Sequence, residues 1–167
     1  MISNKLYKIF RCCPSAVAVI KGNENYPIIK GRVSFFDCEN SVIVCAEISG
    51  LPKSAEVCDK PIFAFHIHSG TECTGKKIEP FSNTKGHFNP EKCPHPYHAG
   101  DMPPLFSVNG GAFLCFMTNR FKVKDILGKT VIIHSKPDDF TTQPSGNSGE
   151  KIACGIIRRF YLKHLIY

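Results

Sequence analysis

The chain has 167 residues, 43% of them apolar and 21% charged, enough for one globular domain with a core of its own. Its 21 Lys and Arg against 14 Asp and Glu give a formal charge of +7, and 13 Phe with 5 Tyr exclude a disordered basic tail. No apolar run approaches the roughly 18–20 residues that span a bilayer, so a membrane-spanning helix is excluded, as are low-complexity and fibrous classes.

In chain order, Lys5, Lys8 and Arg11 interrupt the apolar residues Leu6, Tyr7, Ile9 and Phe10, too early for the apolar stretch of an export signal. A cytoplasmic protein is expected. Nine cysteines, at 12, 13, 38, 45, 58, 73, 93, 115 and 154, are an odd set without tight spacing and suit a reducing compartment. Cys45 and Cys115, inside apolar runs, read as small core residues. Strands are predicted at Ala16–Lys21, Ile28–Phe36, Val42–Ile48, Ile62–His68, Ala112–Thr118, Phe121–Lys124, Thr130–His134 and Lys151–Ile157. Turn formers such as Ser49-Gly50-Leu51-Pro52 separate them, and no stretch keeps a 3.6-residue apolar period. Eight short strands imply an all-β antiparallel sandwich or barrel.

Two connections break the rhythm. Ser69 to Gly110 lacks a strand pattern and holds Pro80, Pro90, Pro94, Pro96, Pro103 and Pro104; Ser135 to Glu150 is a second such loop. Six of the seven histidines lie in or beside these loops. His66 and His68 end a strand in which they alternate with Phe65 and Ile67, so both imidazoles share one face, about 6–7 Å apart. By itself a His-x-His pair is more often two ordinary surface histidines than a metal site. His87, His95, His98 and Asp101 fall within 15 residues, and three imidazoles with one carboxylate make a closed tetrahedral set for Zn²⁺. Such an ion would also order a Pro-rich loop with little apolar surface to bury. His134 closes a strand facing the second loop, and His164, in the tail, reads as a surface histidine.

Across nearly the whole chain these residues resemble the copper/zinc superoxide dismutase family. The matching segments come in family order: Phe65-His66-Ile67-His68, Cys73-Thr74, Gly86-His87-Phe88-Asn89-Pro90, His95, His98-Ala99-Gly100-Asp101, Val131-Ile132-Ile133-His134, Pro137-Asp138-Asp139, and Gly146-Asn147-Ser148-Gly149 through Ala153-Cys154-Gly155. The resemblance implies an eight-stranded Greek-key β-barrel, an immunoglobulin-like sandwich with two long functional loops. It implies one domain over residues 1–167, with an N-terminal extension at 1–14 and a basic tail at 158–167.

Carried over by position, the resemblance implies copper ligands at His66, His68, His87 and His134, and zinc ligands at His87, His95, His98 and Asp101, with His87 shared. It implies that Asp138 links a copper histidine to a zinc histidine and fixes both rings, and that Cys73 and Cys154 form a disulfide. The implied activity is dismutation of superoxide to dioxygen and hydrogen peroxide, with copper and zinc as cofactors and His87 taking and releasing a proton. A positive surface would gather the small anionic substrate. Lys and Arg are scattered and no nucleic-acid motif occurs, so neither nucleic acid nor a membrane is an expected partner. The family is often dimeric through differing surfaces, which allows a homodimer without naming its face.

The sequence departs from the family pattern in places. Lys151 stands where the family has an active-site arginine, keeping the charge but not the planar fork. Reduced activity is therefore expected, and a non-enzymatic or weakly active copper/zinc-binding protein is the alternative. The interval from His95 to His98 is shorter than usual, the second loop is trimmed, and the segment from Cys73 to His87 is longer. A zinc hydrolase on the same histidines would need an open zinc position and a nearby base, for which Glu72 is the close acid.

Overall fold

In a computed structural model, residues 13–56 and 61–161 are described. His164, Cys12, Cys58, most of the expected N-terminal extension and residues 162–167 of the expected tail lie outside them. Strands β1 (Ala16–Gly22), β2 (Lys30–Cys38) and β3 (Ser41–Ser49) form an antiparallel meander. Alternation sends Ala16, Ala18, Ile20, Val33, Phe35, Val42, Val44, Ala46 and Ile48 into one core. The remaining strands are β4 (Ile62–Phe63), β5 (Phe65–His68), β6 (Leu105–Phe106), β7 (Ala112–Thr118), β8 (Thr130–His134) and β9 (Lys151–Arg159). Seven of them form a sheet in the order β5-β8-β9-β1-β2-β3-β7, and β4 pairs with β6.

The sheet curls toward closure because one run of chain serves both sheets. Only Ala64 separates β4 from β5: its N–H donates to the Lys136 carbonyl and its own carbonyl accepts from the His134 N–H. The Ile62–His68 strand is therefore a single stretch that changes partner at a corner. At the other edge β6 lies against β7. Phe35, Phe63, Phe65, Ile67, Leu105, Val131 and Ile133 fill the interior, each side chain worth about 1.5–3 kcal/mol of burial. Among the described residues no helix is long and apolar enough to cross a membrane.

With β4 and β5 taken as one stretch, the described residues hold eight strands as expected, with one member exchanged. Leu105–Phe106, expected as loop, is a short strand, while Phe121–Lys124, expected as a strand, leads into a one-turn helix α1 (Val123–Ile126). The apolar alternation there is real, since Phe121, Val123 and Ile126 are buried and Phe121 meets Phe35 edge-on at 6.4 Å. The chain turns instead of extending because the Asp125 carboxylate accepts from the Lys122 N–H and the Asp125 N–H donates to the Lys122 carbonyl. Two boundaries also move. Ile28 is exposed in the turn before β2, and β9 runs on to Arg159, into the expected tail. Cys45 and Cys115, directly opposite on β3 and β7, are not free core thiols but a disulfide.

Candidate metal centre

On β5, Phe65 and Ile67 point into the barrel, which turns His66 and His68 to the outer face. The β5–β8 register places His66 opposite Ile132 and His68 opposite Thr130, so His134 ends the same outer face of β8. The ladder shifts register at Ile133/His134, where His134 comes to lie opposite Lys151 of β9.

β5 is the edge of the large sheet, and the first long loop occupies that edge. His87 bridges to His68 and Asp101 to His66 as isolated antiparallel pairs. The Phe88 N–H donates to the Ile67 carbonyl, and the Ile67 N–H donates to the Gly100 carbonyl. A Cβ at Gly100 would strike the Ile67 carbonyl oxygen, so this docking needs glycine. Farther along, Phe81 of the same loop packs on Ile132 and Cys154 of the barrel's outer surface, where Cys73 is disulfide-bonded to Cys154.

The loop thereby brings the predicted donors together in two sets, His66, His68, His87, His134 and His87, His95, His98, Asp101, with the donor atoms of each set within 4.8 Å of one another. None of these residues is more than 9% exposed. The His87 ring centroid lies 4.0 Å from that of His66, 4.9 Å from His68 and 5.4 Å from His98, so it stands between the sets.

Hydrogen bonding fixes which nitrogen each ring offers. His68 Nδ1 lies 2.8 Å from the Lys85 carbonyl and His134 Nδ1 3.3 Å from the Gly149 carbonyl; both must donate there, so each Nε2 carries a lone pair. Those two Nε2 atoms face each other at 3.2 Å. His66 Nε2 (2.7 Å) and His95 Nε2 (2.9 Å) both donate to the Asp138 carboxylate, which leaves both Nδ1 atoms as buried nitrogens with no hydrogen-bond partner. His95 Nδ1 instead lies 3.0 Å from Asp101 Oδ2, one acceptor against another. His87 Nδ1 lies 2.7 Å from Asp101 Oδ1 and 3.3 Å from His98 Nδ1, while its Nε2 has no partner. Buried lone pairs converging in this way repel unless a cation lies among them, and neutral imidazole with carboxylate is the donor chemistry of zinc and copper.

Burial holds His66, His68, His98 and His134 toward the neutral form. Burial, followed by the neighbouring histidines, holds His68 well below the ordinary imidazole range, and burial with His66 brings His134 down to about 3. His66 is also lowered by burial, against the opposing pull of Asp138. Burial pushes the Asp138 and Asp101 carboxyls upward, but the contacts from His66, Phe140 and His95 on Asp138, and from His87, His98 and His95 on Asp101, together outweigh it, and both end below the usual carboxylate range. Asp138 thus joins the two sets as an ionised acceptor. A Cβ at Gly146 would collide with the Asp138 carboxylate, which ties the second loop's glycine to that contact.

Lys151 is half-buried, and its Nζ lies 3.2 Å from the Lys85 carbonyl that also accepts from His68. Glu72 is exposed and accepts from Thr74 Oγ1, away from both sets. Two side chains that the sequence did not single out, Arg120 and Gln143, reach the backbone between His95 and Asp101. Contacts to backbone carbonyls leave no spacing or periodicity to read.

The model of the family described as copper/zinc superoxide dismutase (SODC) matches residues 29–157. Superoxide dismutase [Cu-Zn] 2 of Aquifex aeolicus is 36% identical over 143 residues, covering 77% of this chain and 78% of that protein. Superoxide dismutase [Cu-Zn] of Legionella pneumophila is 28% identical over 140 residues, covering 79% and 80%. Superoxide dismutase [Cu-Zn] 3 of Arabidopsis thaliana is 30% identical over 159 residues, covering 85% and 88%. With its barrel, its paired donor sets and this match over most of its length, the chain belongs to the copper/zinc superoxide dismutase family.

Proposed function

We infer that the protein dismutates superoxide to dioxygen and hydrogen peroxide, with His66, His68, His87 and His134 holding copper and His87, His95, His98 and Asp101 holding zinc. The observation that carries this reading is the convergence of buried ring lone pairs into two sets sharing one imidazole. When bound, copper supplies one-electron redox chemistry and zinc supplies fixed positive charge.

The chain's own residues do the rest. Asp138 fixes the His66 and His95 tautomers, and the Lys85 and Gly149 carbonyls fix those of His68 and His134, so no ring needs to reorganise to offer its nitrogen. His87, turned by Nδ1 toward Asp101 and His98, keeps Nε2 as the atom that takes a proton and returns it in each turnover. Lys151, opposite His134, puts an ammonium beside the four-histidine set and draws in the anion, while the net charge of +7 raises the encounter rate at low salt. Because that ammonium keeps the charge needed there, Lys151 lowers the rate without abolishing it, and a non-enzymatic role is not favoured. A homodimer is consistent with the family.

Stopped-flow decay of superoxide tests the activity. Protein loaded with copper and zinc accelerates the decay in proportion to its copper content, and chelation removes the acceleration. Decay at the rate of the metal-stripped protein would contradict the proposal.

A further inference from the structure

We propose that Arg120 and Gln143 are positioning residues of the second donor set, pinning the backbone of its short loop so that His95, His98 and Asp101 stay in place; this rests on the reading that the set holds zinc. His95 and His98 are only three residues apart, and donors so close in sequence converge only across a tight turn. The turn is closed by the Asp101 N–H to the His98 carbonyl and the Tyr97 N–H to the Pro94 carbonyl. The Pro96 and Asp101 carbonyls and both backbone groups of His95 take their partners from elsewhere, and the His98 carbonyl takes a second one.

Those partners come from two separate elements. Arg120, between β7 and α1, places Nη1 at 3.0 Å from the Pro96 carbonyl and at 3.2 Å from both the His98 and Asp101 carbonyls. Three carbonyl dipoles aimed at one point repel one another, and a cation at that point turns the repulsion into attraction. From the opposite loop, the Gln143 amide pairs with His95 as a neighbouring strand would: its Oε1 accepts from the His95 N–H at 3.0 Å and its Nε2 donates to the His95 carbonyl at 2.7 Å. One residue therefore holds the carbonyls at 96, 98 and 101, and the other holds both backbone groups of residue 95. Arg120 is itself exposed, so water can replace its bonds when it is removed. The fold then survives while the donor geometry relaxes, which separates positioning from bulk stability.

The test loads copper first and then titrates Co²⁺ or Zn²⁺ into the second set of the parent, Arg120→Ala and Gln143→Ala. Affinity is read by chelator competition, geometry by the visible Co²⁺ spectrum, and stability by the melting of metal-free protein. Each alanine variant is expected to bind the second ion about tenfold more weakly with an altered Co²⁺ spectrum. Copper affinity and metal-free melting should stay at parent values, and Arg120→Lys, which returns a cation to the carbonyls, should fall between alanine and parent. If an alanine variant does not fold, Arg120→Lys and Gln143→Asn carry the same comparison. A parent that takes up no second ion overturns the zinc reading and this proposal together. A parent that takes it up, with variants that hold it equally well, overturns this proposal alone, as does a loss of affinity matched by an equal loss of metal-free stability.

Discussion

The two halves of the centre are held by different physics. His66, His68 and His134 sit on β5 and β8, where the ladder fixes their backbone and alternation fixes their face; the sheet needs no further device to bring them together. His95 and His98 sit on irregular chain, placed by side-chain contacts from Asp138, Gln143 and Arg120, while Asp101 beside them pairs with His66 at the edge of β5. The strand-borne half is a consequence of folding, whereas the loop-borne half depends on a handful of replaceable hydrogen bonds. His87 belongs to both, since its chain segment docks on β5 while its ring reaches across.

The strongest way to break this contrast is His87→Ala. It removes the shared ring, so uptake at both sets falls and dismutation drops by about a hundredfold or more. His98→Ala, by comparison, should lower second-site uptake and leave the four-histidine set able to take copper. Asp138→Asn comes next. Losing the carboxylate that accepts from both His66 and His95 weakens binding in both sets by about 10–100-fold, measured by competition for each metal separately.

pH sharpens the contrast in metal-free protein. His68 and His134 titrate below 6.5 when folded, His134 near 3, so below about pH 6.5 the unfolded chain binds more protons than the folded one. Stability is therefore full above that pH and falls as pH drops below about 6.5, for His134 by about 1.4 kcal/mol per pH unit toward its folded value near 3, with His68 adding a loss in the same direction. Asp101 and Asp138, held below the carboxylate range, extend the loss further into acid. Urea titrations of stripped protein at pH 7.5, 6 and 5 check this, and a flat profile would contradict it. The smallest expected effect is at Lys151. Lys151→Arg should raise kcat/KM severalfold by restoring a planar donor, and Lys151→Ala should lower it and flatten its salt dependence.

What the sequence shows follows the same division. Period-two alternation alone puts His66 and His68 on one face, and spacing alone groups His87, His95, His98 and Asp101. Alternation also misled, because Phe121 and Val123 bury like strand residues although the Asp125 carboxylate curls the chain into a helical turn. Leu105–Phe106 is too short for any period to register, and it was the exchanged strand. Cys45 and Cys115 were legible as buried, but their bond depends on β3 and β7 being neighbours, which is a property of the topology. Arg120 and Gln143 act on backbone atoms of distant residues, and a single chain carries no pattern for that.

In the proposed centre one imidazole, that of His87, joins two cations. Anomalous scattering at the copper and zinc edges, from crystals of the loaded protein, tests it directly. A zinc peak is expected about 2.0–2.1 Å from His87 Nδ1, with a separate copper peak on the Nε2 side of the same ring. A ring with a metal on one side only, or turned away from both peaks, would contradict it.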